Sequence, residues 1–234
     1  MTLDPRGHGD SDWSEPGHYS FLDYAADARE VFRQVEDRFG VAPVAVGASM
    51  GGLSSILVAG EDENPPMSAL VLVDVTPRMD PNGVDDILSF MGARMQAGFA
   101  NLEEAADVVA EYMPHRPRPR SLDGLRKNLR LDPDGRYRWH WDPRFIEGPR
   151  PISSGRRDDP DLFVEAAAKI TIPTLLVRGQ MSELVGEEHA REFLERVPHA
   201  AFTDVSGAGH MVAGDRNDVF ADAVLEFLGR LESV

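Results

Sequence analysis

Apolar residues along this chain fall into short unbroken runs separated by stretches with helical spacing, and that alternation predicts its elements. The runs Val44-Ala45-Val46, Ala69-Leu70-Val71-Leu72-Val73, Thr174-Leu175-Leu176-Val177-Arg178 and Ala201-Phe202-Thr203-Asp204-Val205 read as strands. Elsewhere the apolar positions recur three and four apart. Tyr24, Ala28, Val31, Phe32, Val35 and Phe39 share one face of a helix over 24–39, and Phe193, Leu194 and Val197 mark another. Val219, Phe220, Val224, Phe227, Leu228 and Leu231 line a last helix. Thr2-Leu3 is a short strand-like pair, so the first helix is expected to cross over between it and the strand at 41–46. Strand, helix, strand repetition implies an α/β fold with a mainly parallel sheet flanked by helices.

The pattern breaks over 79–167, which divides the chain into a core of 1–78 and 168–234 and an insertion. Helix-like segments at 87–96 and 102–112 are interrupted there by Pro114, Pro117, Pro119, Pro133, Pro143 and Pro149. One biased segment, Pro114-His115-Arg116-Pro117-Arg118-Pro119-Arg120, lies inside it, and no internal repeat is present. Arg126, Lys127, Arg130, Arg136, Arg138 and Arg144 make the insertion basic. Such a surface either draws an anionic substrate or forms a solvated face paired with nearby carboxylates.

Chemistry enters at Gly47-Ala48-Ser49-Met50-Gly51-Gly52, where an apolar run leads into a Gly-x-Ser-x-Gly turn and a helix-compatible run leaves it. A serine on a sharp strand-to-helix turn stands clear of its own backbone, with small residues at Gly47, Gly51 and Gly52 permitting close approach of strand and helix. Ser49 is thus the candidate nucleophile. A base is needed, and His210 lies in the glycine-rich tract Ser206-Gly207-Ala208-Gly209-His210-Met211, between the last strand and the last helix.

With Asp4-Pro5-Arg6-Gly7-His8-Gly9-Asp10-Ser11, these two motifs make the chain resemble the α/β-hydrolase superfamily over nearly its whole length, as a serine-nucleophile member with a cap. The resemblance implies the α/β-hydrolase fold, with 79–167 as a helical cap insertion. It also implies that Ser49 attacks an acyl carbonyl, that His210 takes and returns the proton, and that a carboxylate orients His210. Most relatives carry that acid three residues beyond the glycine matching Gly179, where this chain has Ser182. The acid is therefore Glu183 beside it or Asp74 at the end of the strand at 69–73, from which some members supply theirs; Asp74 is preferred because a strand end fixes a side chain better than a loop does. The first motif matches the loop after the family's fourth strand, so the resemblance implies that the first three strands are lacking. With them would go a His-Gly loop that donates one oxyanion N–H; Met50 N–H is the other donor. Met1 is therefore expected to be an internal or misassigned start; in a fold adapted to this start, Leu3 and its neighbours would instead pair directly with the strand at 41–46.

Among the insertion's aromatics, Trp139 and Trp141 are candidates for a substrate pocket, packing of the insertion being the competing explanation. The expected activity is a serine hydrolase cleaving a small or medium carboxylic ester or related acyl substrate. Cofactor-free peroxidase-type, lactonase and C–C hydrolase chemistries share the same triad. A non-catalytic hydrolase-like protein is the alternative from another class, resting on Ser182 and the incomplete front.

Composition narrows the partners. A formal charge of −16 in 234 residues disfavours nucleic acid and anionic membranes. Absence of cysteine excludes disulfides, a thiolate nucleophile and cysteine metal sites. His8, His18, His115 and His140 lack paired helical spacing, so neither metal nor cofactor is expected. No apolar run approaches the roughly 20 residues of a membrane helix and no secretory signal opens the chain, which points to the cytoplasm. The expected partner is a small-molecule acyl substrate, and the composition is compatible with a homo-oligomer.

Overall fold

The four apolar runs become four parallel strands of one sheet. The computed structural model of the chain describes every residue except 62, 115–117, 119, 120, 155–158, 160 and 232–234. In chain order its elements begin with α1 (Phe21–Phe39), β1 (Val44–Ala48), α2 (Met50–Glu61), β2 (Ala69–Val73), α3 (Pro81–Gly92) and α4 (Leu102–Tyr112). They continue with α5 (Asp123–Arg126), β3 (Leu129–Leu131), β4 (Tyr137–Trp139), α6 (Arg144–Glu147) and α7 (Leu162–Ala167). β5 (Thr174–Gly179), α8 (Glu187–Arg196), β6 (Ala201–Val205), α9 (Val212–Asp215) and α10 (Asn217–Leu231) complete it. The chain forms two compact units, one of residues 20–84 and 153–234, the other of 1–19 and 85–152.

The first unit holds the sheet, in the order β1-β2-β5-β6 with every pairing parallel. β2 and β5 are buried at every position, which is why their sequences read as continuous apolar runs rather than alternating ones. β1 and β6, at the two ends of the order, alternate, and Val46 and Phe202 are exposed. Ala69, Val71, Val73, Leu175 and Val177 share a cluster with Phe227, and Val219, Phe220, Val224 and Leu228 of α10 pack against it. Alternation sends Leu70 and Leu72 to the opposite face. α2 packs on β1 and β2 and is buried from Gly52 through Gly60. α1 starts where Ser20 caps it reciprocally with Asp23, and stops at Gly40, whose φ of 75° suits a left-handed cap.

The second unit is built around the β3–β4 hairpin, in which Leu129 pairs with Trp139 and Leu131 with Tyr137. The hairpin has no counterpart in the sequence reading. Phe99 is completely buried with its ring edge-on to Trp139, and Phe90 stacks on Tyr112 at 4.2 Å. The N-terminal stretch is held as irregular backbone: Gly9 N–H donates to His140 O, Asp142 N–H to Gly7 O and Tyr19 N–H to Arg150 O. Under it lies a buried polar group. Tyr19 Oη donates to Asp142 Oδ2 at 2.5 Å, and Asp142 also takes the Arg144 guanidinium at 2.8 Å.

Thr2-Leu3 does not form the expected strand, and Leu3 is exposed rather than paired with β1. A strand of two residues offers too few ladder bonds to offset the entropy of ordering it, and this backbone instead leads into the turns of residues 6–11. Among the described residues no strand precedes the helix at 21–39. The proline- and arginine-rich segment 114–120 lies largely outside the described residues. Of the insertion's arginines, Arg130 and Arg138 pair with Asp132, Arg138 also with Asp134, and Arg136 donates to the Gly98 carbonyl. Arg130 and Arg138 are thus neutralised by carboxylates of the same segment.

Candidate active site

Ser49 and Asp74 each stand one residue beyond the carboxyl end of neighbouring parallel strands. Ala48 pairs with Val73 as the last rung between β1 and β2, so the next residue on each strand is Ser49 and Asp74, on chains about 4.8 Å apart. Both adopt positive φ, 47° for Ser49 and 49° for Asp74. Such a conformation costs a non-glycine residue about 1–3 kcal/mol and persists only where its surroundings impose it.

Around Ser49 the imposing contacts are close. A Cβ on Gly47 would meet Gly52 N at 2.6 Å and Gly51 O at 2.7 Å, and one on Gly52 would meet Val75 Cγ1 at 2.4 Å. Strand and helix thus meet backbone to backbone. Gly51 lends its backbone to that approach, but a Cβ on it would meet nothing within 4 Å, so the approach does not require a glycine there as the motif suggested. The first intrahelical bond of α2 runs from Leu53 N–H to Ser49 O at 3.0 Å, which leaves the amides of Met50, Gly51 and Gly52 without an intrahelical acceptor. Met50 N–H is therefore at a helix start, where donors and the helix dipole favour developing negative charge.

Asp74 has no solvent-exposed surface, yet its carboxylate is fully provided for. Oδ1 accepts from Gly179 N–H at 2.8 Å; Oδ2 accepts from Ser182 Oγ at 2.6 Å and lies 2.8 Å from His210 Nδ1. A carboxylate only accepts, so Nδ1 carries the ring's proton, and Nε2 of the neutral imidazole is left with its lone pair.

The loop carrying His210 is fastened to the end of β5. Gln180 N–H donates to Val205 O and Met181 N–H to Ala208 O at 2.8 Å, while Gly209 N–H donates to Asp215 Oδ2 at 3.0 Å. Gly179 is the seam: a Cβ there would meet Gly209 O at 2.2 Å. Its lack of a side chain lets the loop approach while its N–H holds Asp74. Among the described residues the Ser49 hydroxyl makes no hydrogen bond with His210.

Of the two candidate acids, the structure brings Asp74 to His210. Glu183 is exposed, in the turn that precedes α8 rather than in its first turn. Trp139 and Trp141 belong to the other unit. There Trp139 packs against Phe90 and Phe99, and Trp141 is buried near Phe145. Together with Met95, Arg130, Arg138 and Pro143 they line a small pocket. Sequence reasoning weighed Ser182 only as an acid it could not be; that a hydroxyl at this position could donate to an acid on the neighbouring strand was the missed signal.

Residues 1–216 match the family model for the alpha/beta hydrolase fold. The chain belongs to the α/β-hydrolase family. It is 27% identical over 242 residues to the mouse "sn-1-specific diacylglycerol lipase ABHD11", covering 97% of this chain and 71% of that protein. To "Esterase Rv0045c" of Mycobacterium tuberculosis it is 28% identical, over 92% of this chain and 70% of the esterase. The crystal structure of E-2-(acetamidomethylene)succinate hydrolase superposes with a TM-score of 0.80 at 26% identity, covering 97% of this chain and 80% of that one. This α/β-hydrolase is accordingly an enzyme whose relatives are esterases, a lipase and hydrolases. Among the described residues no helix is long and apolar enough to cross a membrane, and no cluster of His, Asp and Glu could hold a metal ion.

Proposed function

We propose that the chain is a serine hydrolase that cleaves a small or medium carboxylic ester, or a related acyl substrate, through an acyl-enzyme on Ser49. The observation that carries this reading is the 2.8 Å contact between His210 Nδ1 and a buried Asp74, which itself stands beside the strand that presents Ser49. In the first half-reaction Ser49 Oγ attacks the acyl carbonyl carbon as His210 Nε2 takes its proton. The oxyanion receives Met50 N–H, and Asp74 stabilises the imidazolium without being protonated. Collapse breaks the bond to the alkoxide, which leaves with the proton held by His210. Water then attacks the acyl-enzyme, losing its proton to His210, which passes it to Ser49 Oγ as the acyl–Oγ bond breaks and the acid is freed. An ester as the scissile bond is supported by the relatives' names, an esterase and a diacylglycerol lipase.

A cytoplasmic enzyme acting on a small molecule, with the insertion at 79–167 as its cap, completes the proposal. The test is pre-steady-state hydrolysis of p-nitrophenyl acetate and butyrate. A burst of nitrophenol close to one equivalent of enzyme, absent in Ser49→Ala, is expected; a steady rate unchanged by that substitution would overturn the reading.

A further inference from the structure

The Ser182 hydroxyl is wired on all sides. Its oxygen accepts two backbone amides, Leu184 N–H and Val185 N–H, each at 3.0 Å. A serine hydroxyl has two lone pairs and one proton, so with both lone pairs engaged the proton has a single direction left. It points at Asp74 Oδ2, 2.6 Å away, the same oxygen that holds His210. Ser182 N–H in turn donates to Gly179 O at 2.9 Å, which ties the turn to the residue whose own N–H grips Oδ1.

We propose that Ser182 is a positioning residue: its hydroxyl fixes the rotation of the Asp74 carboxylate and, by sharing Oδ2 with His210, limits how strongly Asp74 binds the imidazole proton. Two physical consequences follow. Without the donor, the carboxylate keeps only Gly179 N–H on Oδ1 and His210 on Oδ2, so its last torsion is less tightly fixed and His210 is less tightly oriented. Without the competitor, more of the charge on Oδ2 falls on the His210 bond, which shortens and strengthens. The geometry of this relay is independent of turnover, whereas its kinetic effect rests on the functional reading above, so the two are tested separately.

The direct readout is the low-field proton resonance of His210 Nδ1–H in uniformly 15N-labelled protein, assigned by its loss in His210→Ala. In Ser182→Ala it is expected to move further downfield, and in Ser182→Thr, which keeps the hydroxyl, to stay near the wild-type position. Should the alanine variant not fold, Ser182→Cys carries the same comparison. The chain has no other cysteine, and a thiol is a poor donor of nearly the same shape. Kinetically, Ser182→Ala or Ser182→Cys is expected to lower kcat roughly 10-fold with KM within about twofold, the scale of one hydrogen bond to a charged group. Ser182→Thr should recover most of the rate. A resonance unmoved in both Ala and Cys variants would overturn the proposal whatever the enzyme's activity. A moved resonance in a protein that hydrolyses no ester would uphold the relay and count against the ester-hydrolase reading alone.

Discussion

Ser49 and Asp74 occupy the same rung, one step past the end of adjacent parallel strands, and both hold a positive φ that their side chains resist. Two such residues side by side place the proposed nucleophile and its proposed acid at the carboxyl ends of adjacent strands.

The elbow rests on two glycines, not three. Gly47→Ala is expected to cost about 2 kcal/mol or more of stability and to abolish hydrolysis, because its Cβ would sit on the Gly51 and Gly52 backbone. Gly51→Ala meets nothing within 4 Å and should leave stability within about 0.5 kcal/mol or raise it, alanine being the better helix former. Urea unfolding of both variants makes the comparison.

The identity of the acid separates in rates. Asp74→Asn should lower kcat by about 10³–10⁴, since the amide orients the wrong imidazole tautomer, while exposed Glu183→Gln should change it less than about twofold. Ser182 Oγ lies 2.6 Å from Asp74 Oδ2, so Ser182→Asp placed in the Asp74→Asn background is expected to recover at least about 10-fold. Steady-state kinetics on one ester substrate across the four proteins reads all of this.

The Tyr19–Asp142–Arg144 group is expected to be structural. Burial and then the Asp142 hydrogen bond push Tyr19 up to about 12. Burial works against the Asp142 carboxylate, but Arg144 and Tyr19 outweigh it and hold Asp142 below the usual carboxylate range. Asp142→Ala strands both partners and should cost about 2–4 kcal/mol, and Tyr19→Phe about 1–2 kcal/mol, in urea unfolding.

His8 gives the pH dependence its sign. Burial pushes it below its usual value of 6.5, against the opposing pull of the Arg6 carbonyl and of Asp4 and Asp142. The unfolded chain then binds the proton more readily than the folded one, so stability rises with pH in that window. What neutral His8 permits is present above 6.5 and erodes as pH falls below it. Urea midpoints taken from pH 7.5 to 5.5 should decline, and His8→Gln should flatten the decline.

The sequence made the sheet legible because β2 and β5 are buried on both faces and β6 breaks sharply into glycines; these runs match the observed strands to within a residue or two. Ser49 and His210 were readable for the same reason, each sitting at the punctuation after a strand. The hairpin at 129–139 was not, because three-residue strands carrying Arg130 and Arg138 show no apolar period. The preference for Asp74 over Glu183 came from its place at a strand end, while the contact itself depends on which carboxylate a loop 136 residues downstream can reach. Thr2-Leu3 misled because apolar spacing reports a wish to be buried, not the presence of a partner.

An activated Ser49 is what the proposed chemistry requires before anything else. Purified protein would be treated with a fluorophosphonate probe and the adduct mapped by peptide mass spectrometry, with Ser49→Ala and His210→Ala alongside. Labelling at Ser49 that disappears in Ser49→Ala and falls at least about 100-fold in rate in His210→Ala is the expected result. A folded protein that takes no label at Ser49, or takes it equally well without His210, would contradict it.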